Sequence, residues 1–147
     1  MLKKLMGTSD DYGVAVVRVA LGLVMLPHGA QKLFGWFGGH GFNATMEAFT
    51  GQMGIPAPFA VLAIAAEFLG GLGLMVGLLG RVAALGVFSV MVVAALQFHL
   101  AMGFFMNWSG TQKGEGFEYH ILAAAMALAV MIKGSGALSL DRLLARR

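Results

Sequence analysis

RVALGLVMLPHGAQKLFG, residues 18–35, is apolar over most of its length but contains an arginine and a histidine. A helix that spans a membrane needs about 20 mostly apolar residues, and the run from Val14 to Phe34 provides them. Ionisable side chains inside such a span are rare, and they pair with other groups or mark a functional site. The stretch therefore predicts a membrane helix and makes Arg18 and His28 candidates for pairing or for function.

The composition of the whole chain favours the same class. Of its 147 residues, 59% are hydrophobic and 12% are charged, and the mean hydropathy is +0.81. Soluble domains carry about 25% charged residues, so this chain has too much apolar surface for a small water-soluble fold. The sequence predicts a single all-α integral membrane domain in a lipid bilayer.

Charge and cysteine content exclude several functions. The net charge is +3, with no basic cluster on a soluble module, so no nucleic-acid partner is predicted. The chain has no cysteine, which excludes disulfide exchange, thiol nucleophiles and cysteine metal sites. Redox chemistry carried by a bound cofactor is compatible with this composition.

Four apolar segments are candidates to cross the bilayer: residues 14–34, 58–79, 82–104 and 117–134. Only Gly80 and Arg81 join the second and third segments, so these two form a tight antiparallel hairpin. Glycine and alanine are frequent in the segments, and small residues allow helices to approach closely in lipid. We therefore predict a four-helix membrane bundle.

Lysine and arginine residues are distributed unevenly between the two sides of this bundle. Seven lie on the side of the chain ends: Lys3, Lys4, Arg81, Lys133, Arg142, Arg146 and Arg147. Only Lys32 and Lys113 lie on the other side. Because cytoplasmic loops are enriched in lysine and arginine, both termini are predicted to be cytoplasmic, with the connections 35–57 and 105–116 outside.

The first outer connection contains a short amphipathic segment. Phe42, Met46, Phe49 and Met53 fall on one face of a helix. We predict a short interfacial helix here, which lies on the membrane surface or caps the bundle.

Two charged residues fall within the predicted spans. Arg18 lies about 6 Å along the first helix, and Glu67 lies about 14 Å from the outer side, near the midplane. One interpretation is an ion pair, direct or through another residue, that fixes the first two helices. The other is a protonated Glu67 that serves as a proton or ligand group, while Arg18 extends to the cytoplasmic surface.

A second group of polar residues is predicted in the outer third of the bundle. His28 lies about 21 Å along the first helix and His99 about 25 Å along the third, while His120 begins the fourth helix on the same side. Gln31 lies at a similar depth. Each histidine alone would suit the headgroup region, but three converging helices favour a pocket.

The chemistry of these side chains indicates the ligand. Neutral imidazole donates and accepts hydrogen bonds and titrates near neutral pH, so histidine and glutamine in an apolar pocket suit a quinone and its protons. No HxxxH or HExxH spacing is present, and neither a metal nor haem is predicted. We assign ligand-binding or proton-relay roles to His28, Gln31, Glu67, His99 and His120.

Several motifs resemble those of the DoxX family. They are Arg18 and Gly22 followed by HGAQKLFG (28–35), then AEFLGGLGLMVGLLGR (66–81), GEGFEYHILAAA (114–125) and GSGALSLDRLL (134–144). The positions that match the family pattern are Arg18, Gly22, Gly29, Lys32, Glu67, Gly70, Arg81, Glu118, Ser139 and Asp141. We assign charge-pairing or packing roles to Arg18, Gly22, Gly29, Lys32, Gly70 and Glu118.

The resemblance implies a four-helix protein of the bacterial inner membrane. DoxX-like proteins include a thiosulfate:quinone oxidoreductase subunit and members linked to oxidative stress, thiol stress, or resistance to quinones and catechols. Our leading hypothesis is a redox-associated subunit with a quinone-type pocket in its outer half and a redox protein as partner. If it is an enzyme, it belongs to a quinone-linked oxidoreductase. The alternatives are a non-catalytic scaffold that docks a partner and, third, a small-molecule transporter; oligomerisation is compatible with each.

Overall fold

A computed structural model describes residues 5–145. Its helices are α1 (Tyr12–Phe34), α2 (Gly41–Glu47), α3 (Ala57–Val76), α4 (Gly80–Ala94), α5 (Glu118–Lys133) and α6 (Leu140–Ala145). Helix α2 continues as a π-helical turn at Ala48–Gln52, and α4 continues through a π-helical turn at Ala95–His99 into a 3₁₀ turn at Leu100–Met102. No strand occurs in the described residues, so the predicted all-α class is confirmed.

Within the described part of the chain, three helical segments are long and apolar enough to cross a membrane: α1, α3 and the continuous segment Gly80–Met102. They correspond to the first three predicted spans. Helix α5 lies where the fourth was predicted, but it has 16 residues. It is therefore about 24 Å long, against a hydrocarbon core of about 30 Å.

Local sequence signals set the ends of these helices. Asp11 caps α1 by accepting the Val14 N–H at 3.1 Å on its carboxylate. Gly35 ends α1 and Gly77 ends α3 in the left-handed conformation, with φ of 76° and 70°, which glycine adopts without steric cost. Helix α1 continues unbroken through Pro27.

The four long helices enclose one apolar core. Helix α1 packs against α3 and α5, and α4 packs against the same two helices. The core side chains Leu21, Met25, Leu74, Val87 and Val130 are all 2% exposed or less. We call the end where α1 and α4 begin the terminal end, because both ends of the described chain lie there. The opposite end, with the connections 35–56 and 103–117, is the loop end.

Helices α1 and α3 approach closely at two glycines of α1. A Cβ atom on Gly22 would lie 2.8 Å from the backbone oxygen of Gly71, and one on Gly29 would overlap the backbone of Phe68. Gly70 faces the next interface, where a Cβ atom would lie 3.4 Å from the Ala83 oxygen on α4. Small residues in lipid-embedded helices allow this approach and the dispersion contacts that follow.

The first connection contains the predicted short helix, formed by α2 and its π-helical turn. It packs against α1 and the start of α3. Of the seven cations predicted on one side, Arg81, Lys133 and Arg142 lie at the terminal end. Lys3, Lys4, Arg146 and Arg147 lie outside the described residues.

Arg18 does not pair with Glu67, so the predicted direct ion pair is wrong. The guanidinium instead donates to five backbone carbonyls, those of Leu74, Met75, Ser135, Ala137 and Leu138. Arg18 is 1% exposed, so its predicted extension to the cytoplasmic surface is wrong as well. The last carbonyls of a helix have no partner within it and attract a cation. Arg18 thereby joins α1 to the end of α3 and to segment 135–138.

Asp141 closes the same end of the bundle. Its carboxylate accepts the N–H groups of Leu79 at 2.7 Å and Gly80 at 2.9 Å, and the Ser135 hydroxyl at 2.5 Å. A negative charge at the start of α4 is favourable because helix N-termini carry unpaired N–H groups. Asp141 also lies within electrostatic range of Arg18. Segment 134–141 therefore folds back and seals the terminal end.

Candidate functional site

A cavity of about 1320 Å³ runs between α3 and α4 and reaches α1 and α5 near the loop end. We call it the α3–α4 groove. Its wall is mostly apolar, from Phe59 near the loop end to Leu78 and Val82 near the terminal end. Apart from Ser89, the polar lining residues lie between the middle of the bundle and the loop end: His28, Lys32, Glu67, His99, Glu115, Tyr119 and His120. The groove therefore suits a ligand with a polar head and a long apolar tail.

His99 and His120 form a stacked pair at the polar end of the groove. Their ring centroids are 4.1 Å apart, and the ring planes are tilted by 37°. His99 ends the π-helical turn that follows α4, and His120 lies in the first turn of α5. π-Helical geometry is rare in proteins, and where a single π-helical turn interrupts an α-helix it often lies at a functional site.

The ring nitrogens of this pair differ in their partners. His99 Nδ1 donates to the Glu115 backbone oxygen at 2.8 Å, since a carbonyl oxygen can only accept, and Nε2 of the neutral ring is then an acceptor. His120 is 7% exposed, and its buried Nδ1 has no hydrogen-bond partner among the described residues. A buried polar atom without a partner costs about 1–3 kcal/mol. Because His120 also lines the groove, it is a candidate to contact a ligand there.

Tyr119 connects the histidine pair to α1. Its ring centroid lies 5.5 Å from that of His120 and 6.3 Å from that of His28. Its hydroxyl donates to Met25 Sδ at 3.6 Å, and a thioether sulfur is a weak acceptor. A ligand oxygen could replace this sulfur with little loss. Tyr119 was not among the predicted site residues, although its position beside His120 gives it the same depth as the predicted polar group.

Glu67 pairs with Lys32 across the α1–α3 interface. The Nζ of Lys32 donates to Oε2 of Glu67 at 2.6 Å, and the two side chains are 24% and 6% exposed. Gly29 lets the α1 backbone approach Glu67, and Lys32 lies three residues further on the same helical face. The three-residue spacing of Gly29 and Lys32 was the sequence signal for this ion pair. Lys32, and not Arg18, balances the negative charge of Glu67.

Gln31, which was assigned a ligand-binding or proton-relay role, and Glu118, which was assigned a charge-pairing or packing role, both bind backbone groups of the loops. The amide of Gln31 donates to the Phe37 oxygen at 3.1 Å, and Gln31 lines a separate small cavity. Glu118 accepts the Met106 N–H at 2.8 Å, which fixes the 103–117 connection over the start of α5. The groove thus brings together His28, Glu67, His99 and His120, but not Gln31.

The donors and acceptors in the groove suit an organic ligand. Among the described residues, no group of three or more His, Cys, Asp or Glu side chains could hold a metal ion. The histidine pair and Tyr119 instead present one acceptor nitrogen, one unpartnered nitrogen and one weakly held hydroxyl. This set can bind a ligand that carries carbonyl or hydroxyl oxygens.

Comparison with known proteins identifies the family. The family model described as DoxX matches residues 13–100, which is more than half of the chain. This chain belongs to the DoxX family. The match contains α1, α3 and α4 with His28, Glu67 and His99, whereas Tyr119 and His120 lie beyond it.

A relative of this DoxX-family chain is the inner membrane protein YqjF of Escherichia coli strain K12. The two are 31% identical over 138 residues, which cover 94% of this chain and 96% of YqjF. No solved structure matches the chain. Together with the three helices that could span a membrane, the relationship confirms the predicted location, a multi-pass protein of the bacterial inner membrane.

Proposed function

We propose that this DoxX-family protein is a redox-associated subunit that binds a quinone-type ligand in the α3–α4 groove. The observation that carries the proposal is the buried Nδ1 of His120, which lacks a partner among the described residues. His120 as a residue lines the polar end of an otherwise apolar groove. Buried polar atoms in folded proteins almost always have a partner, so a ligand oxygen is expected here.

The remaining groups fit the two oxygens of a quinone ring. The Tyr119 hydroxyl and the His120 ring can donate, and His99 Nε2 can accept from a hydroxyl. The apolar wall between Phe59 and Val82 suits an isoprenoid tail. When bound, a quinone would supply two-electron, two-proton chemistry, with the electrons delivered by a partner redox protein.

His28 and Glu67 are assigned to proton transfer. Both line the groove next to the histidine pair, and Glu67 and Lys32 lie within electrostatic range of His28. Imidazole and carboxylate groups can exchange protons with a ligand within hydrogen-bond reach. A quinone-linked subunit of this kind would serve a cell under oxidative or electrophile stress.

The proposed topology is a four-helix bundle with both termini in the cytoplasm. Arg81, Lys133 and Arg142 lie at the terminal end, and Lys32 and Lys113 at the loop end, which is the distribution expected for a cytoplasmic terminal end. A span as short as α5 can be accommodated by local thinning of the bilayer. Helix α2 would then lie at the outer membrane surface, and the polar end of the groove would face outward.

A second candidate function, partner docking, is supported by the aromatic side chains at the loop end. Trp36, Phe37, Phe105 and Trp108 are 58%, 69%, 67% and 88% exposed. Aromatic residues are enriched at protein interfaces. A redox partner or a second copy of the chain could cover them, with or without a ligand in the groove.

Quinone binding by purified protein tests the first proposal. The wild-type protein is extracted into lipid nanodiscs, its quinone content is measured after organic extraction, and decylubiquinone binding is followed by thermal unfolding. We expect co-purified quinone and a higher unfolding temperature with added ligand. The variant His120→Ala should lose one hydrogen bond to the ligand, which contributes about 1 kcal/mol. Its dissociation constant for quinone should therefore rise by about five-fold.

His40→Ala is the matched control, because His40 is exposed outside the groove. It should bind as the wild type does. The proposal fails if the wild type neither contains nor binds quinone, or if His120→Ala and His40→Ala bind equally well.

A further inference from the structure

A smaller cavity of about 320 Å³ lies at the loop end, beside the α3–α4 groove. We call it the outer cavity. The end of α1, the glycine-rich connection after it and α2 line this space, which is open to the surface, and its polar lining residues are Gln31, Lys32, His40 and Thr45. A water molecule takes about 30 Å³ in the liquid, so the outer cavity has room for several. His40 is exposed, so the cavity begins at the protein surface.

Lys32 and Phe49 line both the outer cavity and the groove. Their side chains therefore form the partition between a polar, surface-connected space and an apolar one. Lys32 uses one N–H to bind Glu67 at 2.6 Å, and an ammonium group has two more for water. Glu67 in turn lines the groove. The ion pair thus links the two cavities.

We propose that the outer cavity is the proton inlet of the groove and that the Lys32–Glu67 pair conducts the protons. The inference rests on the proposed quinone site, since a ligand that is reduced to a quinol needs protons. A proton inlet also accounts for the position of the Lys32–Glu67 pair between the two cavities. A purely structural ion pair gains nothing from standing between two cavities, whereas a proton carrier has to contact both.

The proton balance defines what the residues do. Formation of one quinol consumes two electrons, from the redox partner, and two protons, from the outer aqueous phase. Each proton enters at Lys32, the member of the pair that lines the outer cavity. The Lys32 ammonium passes a proton to Oε2 of Glu67, and a proton from the water of the outer cavity restores the ammonium. Glu67 then releases it toward His28 or Tyr119 and returns to its ionised form. The titratable or charged groups that line the two cavities are His40, Lys32, Glu67, His28, Tyr119, His120, His99 and Glu115.

Reduction of bound quinone in a stopped-flow instrument tests the inlet. Protein in nanodiscs is loaded with decylubiquinone and mixed with dithionite in weak buffer, while quinone absorbance and a pH dye report quinol formation and proton uptake. We expect Glu67→Gln and Lys32→Met to slow both signals by at least about tenfold, within the range of acid–base contributions. Ala44→Leu, which narrows the outer cavity away from the pair, should also slow them.

Glu47→Gln is the control, because Glu47 is an exposed carboxylate of α2 that lines neither cavity. It should react at the wild-type rate. The double variant Lys32→Met/Glu67→Gln removes both charges of the pair, so neither is left buried without a partner. If it unfolds at the wild-type temperature but takes up protons slowly, the loss is one of proton conduction and not of folding.

The outcomes distinguish the two proposals. If the wild type binds quinone and Glu67→Gln, Lys32→Met and Ala44→Leu all take up protons at the wild-type rate, the inlet is refuted and the quinone site stands. If the wild type binds no quinone, the quinone site is refuted and the inlet with it.

Discussion

Arg18 is a buried cation whose partners are backbone oxygens. Its five N–H groups meet five carbonyls, which is the full donor capacity of a guanidinium. These carbonyls belong to the end of α3 and to segment 135–138. Arg18 therefore provides hydrogen bonds to two helix-end carbonyls and to three carbonyls of segment 135–138.

Replacing Arg18 should destabilise the protein strongly, even with lysine. A lysine has three donors on a point charge and cannot reproduce the planar arrangement of five. We expect Arg18→Lys and Arg18→Leu to lower the free energy of unfolding by about 3–5 kcal/mol, as for a broken buried charge network. Denaturant unfolding in detergent measures this. Arg142→Ala removes only the exposed pair with Asp10 and should cost less than about 1 kcal/mol; equal losses in Arg18→Lys and Arg142→Ala would contradict the assignment.

Glu67 is coupled to Lys32 and not to Arg18. A double-mutant cycle with Lys32→Met and Glu67→Gln should give a coupling energy of about 0.5–3 kcal/mol, since the two groups are in contact. The parallel cycle with Arg18→Gln and Glu67→Gln should be additive within about 0.5 kcal/mol. Unfolding free energies of the single and double variants decide the matter. Additivity in the first cycle, or coupling in the second, would show that the carboxylate has another partner.

At the scale of the helices, the close approach of α1 and α3 positions the site. Gly29 brings Glu67 next to Lys32, and a Cβ atom at this position would overlap the Phe68 backbone. We expect Gly29→Val to separate the helices and to cost about 1–3 kcal/mol through overpacking. Gly51→Ala is the control, because a Cβ atom there meets nothing within 4 Å. Thermal unfolding measures both, and a neutral Gly29→Val would refute the tight interface.

The π-helical turn at Ala95–His99 positions the histidine pair. It follows α4 directly and delivers His99 to the ring of His120 and to the Glu115 carbonyl. The hydrophobic pattern of residues 82–104 predicts a helix, and a helix is present. The hydrophobic pattern gives no sign of the local change from α-helical to π-helical geometry, because the same residues are apolar in either geometry.

For the whole molecule, the apolar segments of the sequence are enough to predict the long helices and the depth of their polar residues. The lengths of α1, α3 and α4 follow from hydropathy, and the three histidines converge on one groove because their depths match. The partners of Arg18 could not be predicted, since backbone carbonyls carry no sequence signal. The folding back of segment 134–141, which places Asp141 at the start of α4, depends on contacts distant in sequence. Lys32 was assigned a charge-pairing or packing role without a named partner, although its spacing from Gly29 already pointed across to α3.

The topology of the whole molecule can be tested cleanly because the chain has no cysteine. Ser109 lies in the second connection at the loop end, and Leu143 lies in α6 at the terminal end. Both positions are exposed, so each is replaced by cysteine in a separate variant, Ser109→Cys and Leu143→Cys. A membrane-impermeant maleimide should label the first variant in intact spheroplasts and the second only after permeabilisation. The reverse pattern would place the polar end of the groove on the cytoplasmic side.

Photoaffinity labelling with an azidoquinone tests directly whether a quinone binds at the histidine pair of the α3–α4 groove. The wild-type protein in nanodiscs is irradiated with the probe, and the modified residues are located by peptide mass spectrometry. We expect adducts near His99, Tyr119 and His120 that disappear with excess decylubiquinone and weaken in His120→Ala. Labelling spread evenly over the lipid-facing helices, unaffected by competing quinone, would contradict it.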